Sequence, residues 1–314
     1  MSRRATALDL HVSVPTPDGH DGACHLAATV FVPPSVERAP VLALLPGGGY
    51  NRRYFDLPGF SQARHHTGQG TIVITMDYLG AGDSSVPPFE VSDLPTVAAS
   101  THAGIEDLIG RLRCGTLAGG YEPIEIAEVI GAGQSLGGHA IVGTQAHHRT
   151  FDAIAVLGCS MAGTTCPTRP ASGPAAGGSD RAVGQLAGVD FPWVFHWDEP
   201  DLPADLAALI AADIEAGLPA RHTPPPWGTS SYPGFSMLGM QDDAFTDLAA
   251  AVDVPVLFAT GERDVCRPAQ QEKAMFRNAP SVEVFTGTRM AHMHNFAASR
   301  EDLWRRLDAF VAHP

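Results

Sequence analysis

The residues of this chain best suited to chemistry are Gly133-Gln134-Ser135-Leu136-Gly137, a Gly-x-Ser-x-Gly segment. A short apolar run ending at Ile130 precedes it, and a helix-compatible stretch, His139 to Val142, follows at once. Strand, sharp turn and helix in that order are what a nucleophile elbow requires, because the serine then stands at the turn with its hydroxyl projecting from the sheet. Only small neighbours let strand and helix approach closely enough, and Gly133 and Gly137 meet that demand. A serine hydroxyl is a poor nucleophile at neutral pH, so it needs a positioned base, and the base needs a carboxylate to fix its tautomer. Two later segments offer these groups: Gly261-Glu262-Arg263-Asp264, and Ala291-His292-Met293-His294. Glu262 and Asp264 compete for the acid and His292 and His294 for the base. Asp253 lies before its strand, at the wrong end of a sheet. Glu262 reads as a solvated loop carboxylate.

Elements must carry these groups to one place. Ala7 to Val14 and Leu26 to Val32, separated by a Pro/Asp/Gly turn, predict an antiparallel hairpin with Leu8, Leu10, Val12 and Val14 on one face. Continuous apolar runs at 40–45, 71–76, 151–157, 254–259 and 282–285, together with the elbow strand, predict strands buried on both faces. Between them, helices are predicted near 57–67, 95–113 and after Ser135, and a last one begins at Ser299 as N-cap with Asp302 as its box partner. Leu303, Trp304, Leu307, Phe310 and Val311 form the stripe of that last helix. The expectation is an α/β fold, a mostly parallel sheet of about eight strands with helices on both faces. Each candidate group follows the carboxyl end of a strand, the edge where parallel sheets build their sites. From 161 to 243 the alternation breaks into Pro/Gly clusters with three of the four tryptophans and one helix near 203–216. The segment reads as an inserted cap or lid, with 1–160 and 244–314 as the core.

At this point the chain resembles the α/β-hydrolase superfamily, in its serine hydrolase, esterase- and lipase-like branch. The resemblance rests on Pro46-Gly47-Gly48-Gly49, on the loop from Asp77 to Ser84, on the elbow, on Gly261 to Asp264 and on a C-terminal histidine, and it covers nearly all the chain except the cap. It implies Asp264 as the acid and His292 as the base, since a small residue and an apolar one flank His292, with His294 as the alternative. It also implies an oxyanion hole from the backbone N–H groups of Gly48 and Leu136. Many relatives have His-Gly where this chain has Pro46-Gly47, which removes a side chain that often braces the loop. Asp77 and Asp83 are expected to hold their loop through Asx turns, and His139, His147 and His148 to be structural or surface groups.

The implied activity is a serine hydrolase that cleaves an ester-type bond, a carboxylic ester, lactone or thioester, of a small apolar substrate through an acyl-enzyme on Ser135. An acyltransferase and a C–C bond hydrolase use the same triad. A ligand-binding protein that has lost catalysis is the reading from another class. Tyr50, Gln134, Trp193, Trp197 and Trp227 are the expected substrate contacts, within an apolar lining that also draws on Phe195, Tyr232, Phe235 and Met237. No cofactor and no metal is expected: the five cysteines are scattered without zinc spacing or a disulfide framework. With 20 Lys plus Arg against 34 Asp plus Glu, a formal charge of -14 argues against nucleic-acid binding or attraction to anionic membranes. No apolar run reaches the ~18 residues of a membrane span, and Met1 to Arg4 do not open a leader. A cytoplasmic protein acting on a small molecule is expected, and a homo-oligomer is compatible with the sequence.

Overall fold

Alternation of buried strands with amphipathic helices builds a single eight-stranded sheet in the computed structural model, which describes residues 6–119, 121–169, 189–200, 202–218 and 220–314. The strands are β1 Thr6–Val14, β2 Cys24–Val32, β3 Arg38–Leu45, β4 Ile72–Met76, β5 Glu125–Gln134, β6 Ala153–Leu157, β7 Val256–Gly261 and β8 Val282–Gly287. Their order across the sheet is β1-β2-β4-β3-β5-β6-β7-β8. β1 pairs antiparallel with β2, as the hairpin pattern predicts, and β2 pairs antiparallel with β4. Every pairing from β4 to β8 is parallel.

Side-chain period decides which residues face which layer. In β3, Val41, Ala43 and Leu45 join one apolar cluster while Leu42 and Leu44 join the other. The first cluster seats helices α2 Leu94–Cys114 and α3 Leu136–His148 on one face of the sheet. The second seats α1 Gln62–Gly68 and α8 Arg300–Ala312 on the opposite face. The predicted stripe of α8 is buried throughout, and each such side chain contributes about 1.5–3 kcal/mol by leaving water. No helix of the described residues is long and apolar enough to cross a membrane.

Two helix starts differ from expectation. α1 begins at Gln62 and not near 57, because Ser61 Oγ accepts the Arg64 N–H and caps it there. Ser299 forms no side-chain cap on α8: its hydroxyl donates instead to the Thr288 carbonyl, at 2.7 Å, and so ties the helix start to the β8 exit loop.

Between β6 and β7 the chain leaves the sheet, and α4 Phe191–Phe195, α5 Ala204–Glu215 and α6 Thr246–Ala251 lie in this excursion, with α7 Ala269–Lys273 after β7. α5 matches the one helix expected in the cap. Residues 170–188 of the expected cap, and Met1 to Arg4, lie outside the described residues.

Candidate active site

Ser135 stands between β5 and α3 with φ 53° and ψ -120°, a strained conformation for a residue that carries a Cβ. The surroundings enforce it. A Cβ on Gly133 would fall 2.1 Å from the Gly137 carbonyl oxygen, and one on Gly137 would fall 2.2 Å from that of Leu45, so neither position admits a side chain. The Ser135 N–H donates to the Leu157 carbonyl of β6 at 2.7 Å, which fixes the turn to the sheet.

The loops after β7 and β8 bring the other groups to this turn. His292 Nε2 lies 3.0 Å from Ser135 Oγ, and His292 Nδ1 lies 2.7 Å from Asp264 Oδ1. An ionised carboxylate only accepts, so Nδ1 carries the proton and Nε2 presents a lone pair to the serine hydroxyl. Asp264 also accepts from the N–H groups of Gly261 and Val265 and from the Thr260 hydroxyl. Burial alone would raise its carboxyl, but the His292 and His294 imidazoles outweigh that cost and hold it well below the usual carboxylate range. His294 does not reach the serine. Its Nε2 donates to Asp264 Oδ2 at 2.8 Å, so one carboxylate is held by two imidazoles. Glu262 is exposed and accepts from the Arg289 N–H, and Asp253 forms an ion pair with Arg149 away from this edge.

The His292 backbone is clamped from both sides. Its N–H donates to the Val194 carbonyl of α4 at 3.1 Å, and its carbonyl accepts the Gln134 side-chain amide at 2.8 Å. Gln134, expected as a substrate contact, therefore holds the His292 backbone and also lines the cavity beside Ser135. Gly48 lies against the Leu136 side chain, so the loop after β3 and the start of α3 flank the serine.

A cavity of about 430 Å³ opens above Ser135, with Gly48, Leu136 and His292 at its floor. Phe89, Phe191, Phe195, Tyr232, Met237 and Met240 are among the residues of its apolar wall. Phe195, Tyr232 and Met237 were expected there; Tyr50, Trp193, Trp197 and Trp227 are not in the wall. The expectation for these four is corrected by what their rings do. Trp193 and Trp197 pack on the Arg263 guanidinium, 4.0 and 4.6 Å from the ring centroids, and Arg263 donates to the His196 carbonyl. They steady the loop of Asp264 from the excursion side. Tyr50 and Trp227 point their polar atoms at the buried carboxylate of Asp213. Phe235 is buried against Tyr78.

Three buried carboxylates organise the site: Asp77, expected only to make an Asx turn, and Glu272 and Asp213, which the residue pattern did not bring forward. Asp77 is fully buried and accepts from the Arg52 backbone, the Arg52 guanidinium and the Asp83 N–H, so a buried ion pair and not an Asx turn holds that loop. Glu272, also fully buried, ties the β6 exit to the β7 exit by accepting from the Ser160 hydroxyl and the Met161 and Arg267 N–H groups. For Asp213 a signal existed: it stands seven residues after Leu206, on the apolar side of α5, where a carboxylate needs a partner.

The model of the alpha/beta hydrolase family matches residues 42–303 of the chain. The chain belongs to this family. Its solved α/β-hydrolase neighbours are distant in sequence. An esterase from Thermogutta terrifontis is 18% identical, with a TM-score of 0.62 over 96% of this chain and 98% of that one. An esterase from Exiguobacterium antarcticum is 16% identical, with a TM-score of 0.62 over 96% of this chain and 100% of that one. A bromoperoxidase from Bacillus anthracis is equally similar, 16% identical with a TM-score of 0.62 over 98% of this chain and 100% of that one. No curated protein matches the sequence. Among α/β-hydrolase neighbours this far apart the shared property is the fold, so the activity of this family member must be argued from its site.

Proposed function

We propose that this protein is a serine hydrolase that cleaves an ester-type bond of a small apolar substrate. The observation that carries the reading is the hydrogen-bonded chain from Ser135 Oγ through His292 to Asp264 at the floor of an apolar cavity. In the reaction His292 Nε2 takes the hydroxyl proton as Oγ attacks the carbonyl carbon, and Asp264 stabilises the imidazolium that results. The N–H groups of Gly48 and Leu136 receive the oxyanion, an arrangement whose single donors are worth on the order of 10²–10³ in rate. His292 passes its proton to the leaving alcohol, and water then releases the acyl group from Ser135 by the same steps in reverse. The segment between β6 and β7 acts as the cap that walls the acyl or alcohol side. The cavity wall carries no arginine or lysine among the described residues, which favours uncharged substrates over those with a carboxylate or phosphate near the scissile bond.

A fluorophosphonate tests the reading directly. The chain should gain one adduct, mapped to Ser135, and hydrolyse short p-nitrophenyl esters, and Ser135→Ala should lose both while remaining folded. A loss of at least ~10⁴ in turnover is expected when the nucleophile is removed. A Ser135→Ala chain with near-normal turnover overturns the proposal.

A further inference from the structure

The loop after β3 lacks the histidine that often braces an oxyanion loop, and among the described residues it pairs with no strand of the sheet beyond Leu45. Something else holds it. Tyr50 lies two residues past Gly48, is fully buried, and donates its hydroxyl to Asp213 Oδ2 at 2.7 Å. The same oxygen accepts His196 Nε2 at 3.0 Å, and Oδ1 accepts the Arg221 guanidinium at 2.8 Å and Trp227 Nε1 at 2.7 Å. One carboxylate on α5 thus fills its acceptor sites with donors from four separate stretches of chain, three of them in the excursion. The Arg221 guanidinium also lies 4.4 Å from the centroid of the Tyr50 ring. Around this hub the backbone is zipped: Tyr50 bridges Gly228, Asn51 N–H donates to the Trp227 carbonyl at 2.9 Å, and Thr229 N–H donates to the Gly49 carbonyl at 3.0 Å. The Asn51 side-chain amide adds bonds to the carbonyls of Pro226 and Gly228.

We infer that Asp213 and Tyr50 are positioning residues for the oxyanion hole, a latch through which the segment between β6 and β7 sets the Gly48 N–H against Ser135. The inference rests on the proposed reaction for its kinetic consequence but not for its structural one. An isolated Asp213–Arg221 pair would balance charge inside the excursion and leave the β3 loop untouched. The Tyr50 bond ties this carboxylate hub into the seam that the backbone bonds form between the two regions. A buried charge that loses one of several donors keeps its pair, so Tyr50→Phe removes the bond between the hub and the loop with one oxygen and leaves the packing of the ring in place.

The test compares Tyr50→Phe, Asp213→Asn and the unaltered chain. Amide hydrogen exchange over residues 47–51, read irrespective of turnover, should be faster in Tyr50→Phe than in the unaltered chain. With p-nitrophenyl esters kcat should fall on the order of tenfold while KM stays within about twofold, because an oxyanion donor acts only in the transition state. Affinity for a trifluoromethyl ketone, whose adduct places an oxyanion in the hole, should fall by the same factor as kcat/KM. Combining Tyr50→Phe with Asp213→Asn should cost less than the sum of the two, as expected for partners in one bond. Unchanged exchange over 47–51 in Tyr50→Phe overturns the latch, and so does a rise in KM with kcat intact, which would make Tyr50 a substrate contact. Failure of the unaltered chain to label or turn over falls on the proposed function instead, and the exchange result still decides the latch.

Discussion

The strand-end loops that carry Ser135, Asp264 and His292, and the excursion between β6 and β7 that stands over them, are built on opposite logics. In the first, backbone shape fixes position. Gly133 and Gly137 sit where no Cβ fits, and Asp264 is held by the N–H groups of its own loop as much as by side chains. In the second, short helices and turns are held by buried polar side chains: Asp213 with its four donors, and Arg263 between Trp193 and Trp197. A backbone-determined region tolerates few substitutions at its small residues and many elsewhere, whereas a region held by a few polar hubs depends on each hub. The excursion also supplies Phe191, Phe195, Tyr232, Met237 and Met240 of the cavity wall, so chemistry and selectivity are expected to respond separately to mutation.

The largest expected effect lies in the loops. Asp264→Asn keeps the shape but presents an amide to His292 Nδ1 and favours the wrong tautomer, as in serine proteases where the equivalent change costs about 10⁴ in kcat. Steady-state kinetics of Asp264→Asn and Glu262→Gln check the assignment, and a greater loss in Glu262→Gln would place the acid elsewhere. His294→Gln should cost far less than His292→Gln, because only His292 reaches Ser135 Oγ.

A smaller effect is expected in the wall. Replacing Phe191, Phe195 or Met237 by Ala, in variants shown to stay folded, should reorder a panel of acyl chain lengths by about 1–3 kcal/mol in relative kcat/KM per methylene-sized change. Fluorophosphonate labelling of Ser135 should persist in the same variants. A panel ranking that stays the same in every one of them would mean that the excursion does not select the substrate.

The smallest effect on catalysis concerns the seam between the two regions, which should respond in stability instead. His139 belongs to α3, stacks on Phe245 at 4.0 Å and donates from Nε2 to the Ser160 carbonyl, with Gly239 of the excursion packed against its ring. Burial pushes its imidazole down to about 4. The unfolded chain, with a histidine near ~6.5, takes up a proton that the folded chain refuses, so the stabilising difference is complete above about pH 6.5 and is lost as pH falls toward 4. Stability should decline over that window by roughly 1.4 kcal/mol per pH unit from this group. Denaturant midpoints of His139→Gln measured at pH 7, 5.5 and 4.5 should show a shallower decline than those of the unaltered chain. Equal slopes would assign the seam's acid sensitivity to other groups.

The order of the strands' chemistry, Ser then Asp then His, each past a strand's carboxyl end, was legible because a buried parallel strand is a continuous apolar run and a strand-to-helix turn of this sharpness demands glycine. Those are local demands, and the sequence states them where they act. The α8 stripe was legible for the same reason, since helix period alone places Leu303, Leu307 and Phe310 on one side. The choice between His292 and His294 was not local. Two imidazoles two residues apart have equal chemistry, and the clamp on the His292 backbone by the Val194 carbonyl and the Gln134 amide turns that ring to the serine while the next one meets only Asp264. The excursion's aromatics were likewise undetermined, because a ring that walls a cavity and a ring that buries a hub have the same composition. Tyr50 and Trp227 went to Asp213, a residue 163 and 14 positions away. The pattern of α5 can show that a carboxylate on its apolar side needs partners, but which donors reach it depends on where four separate segments come together, and that only the folded chain decides.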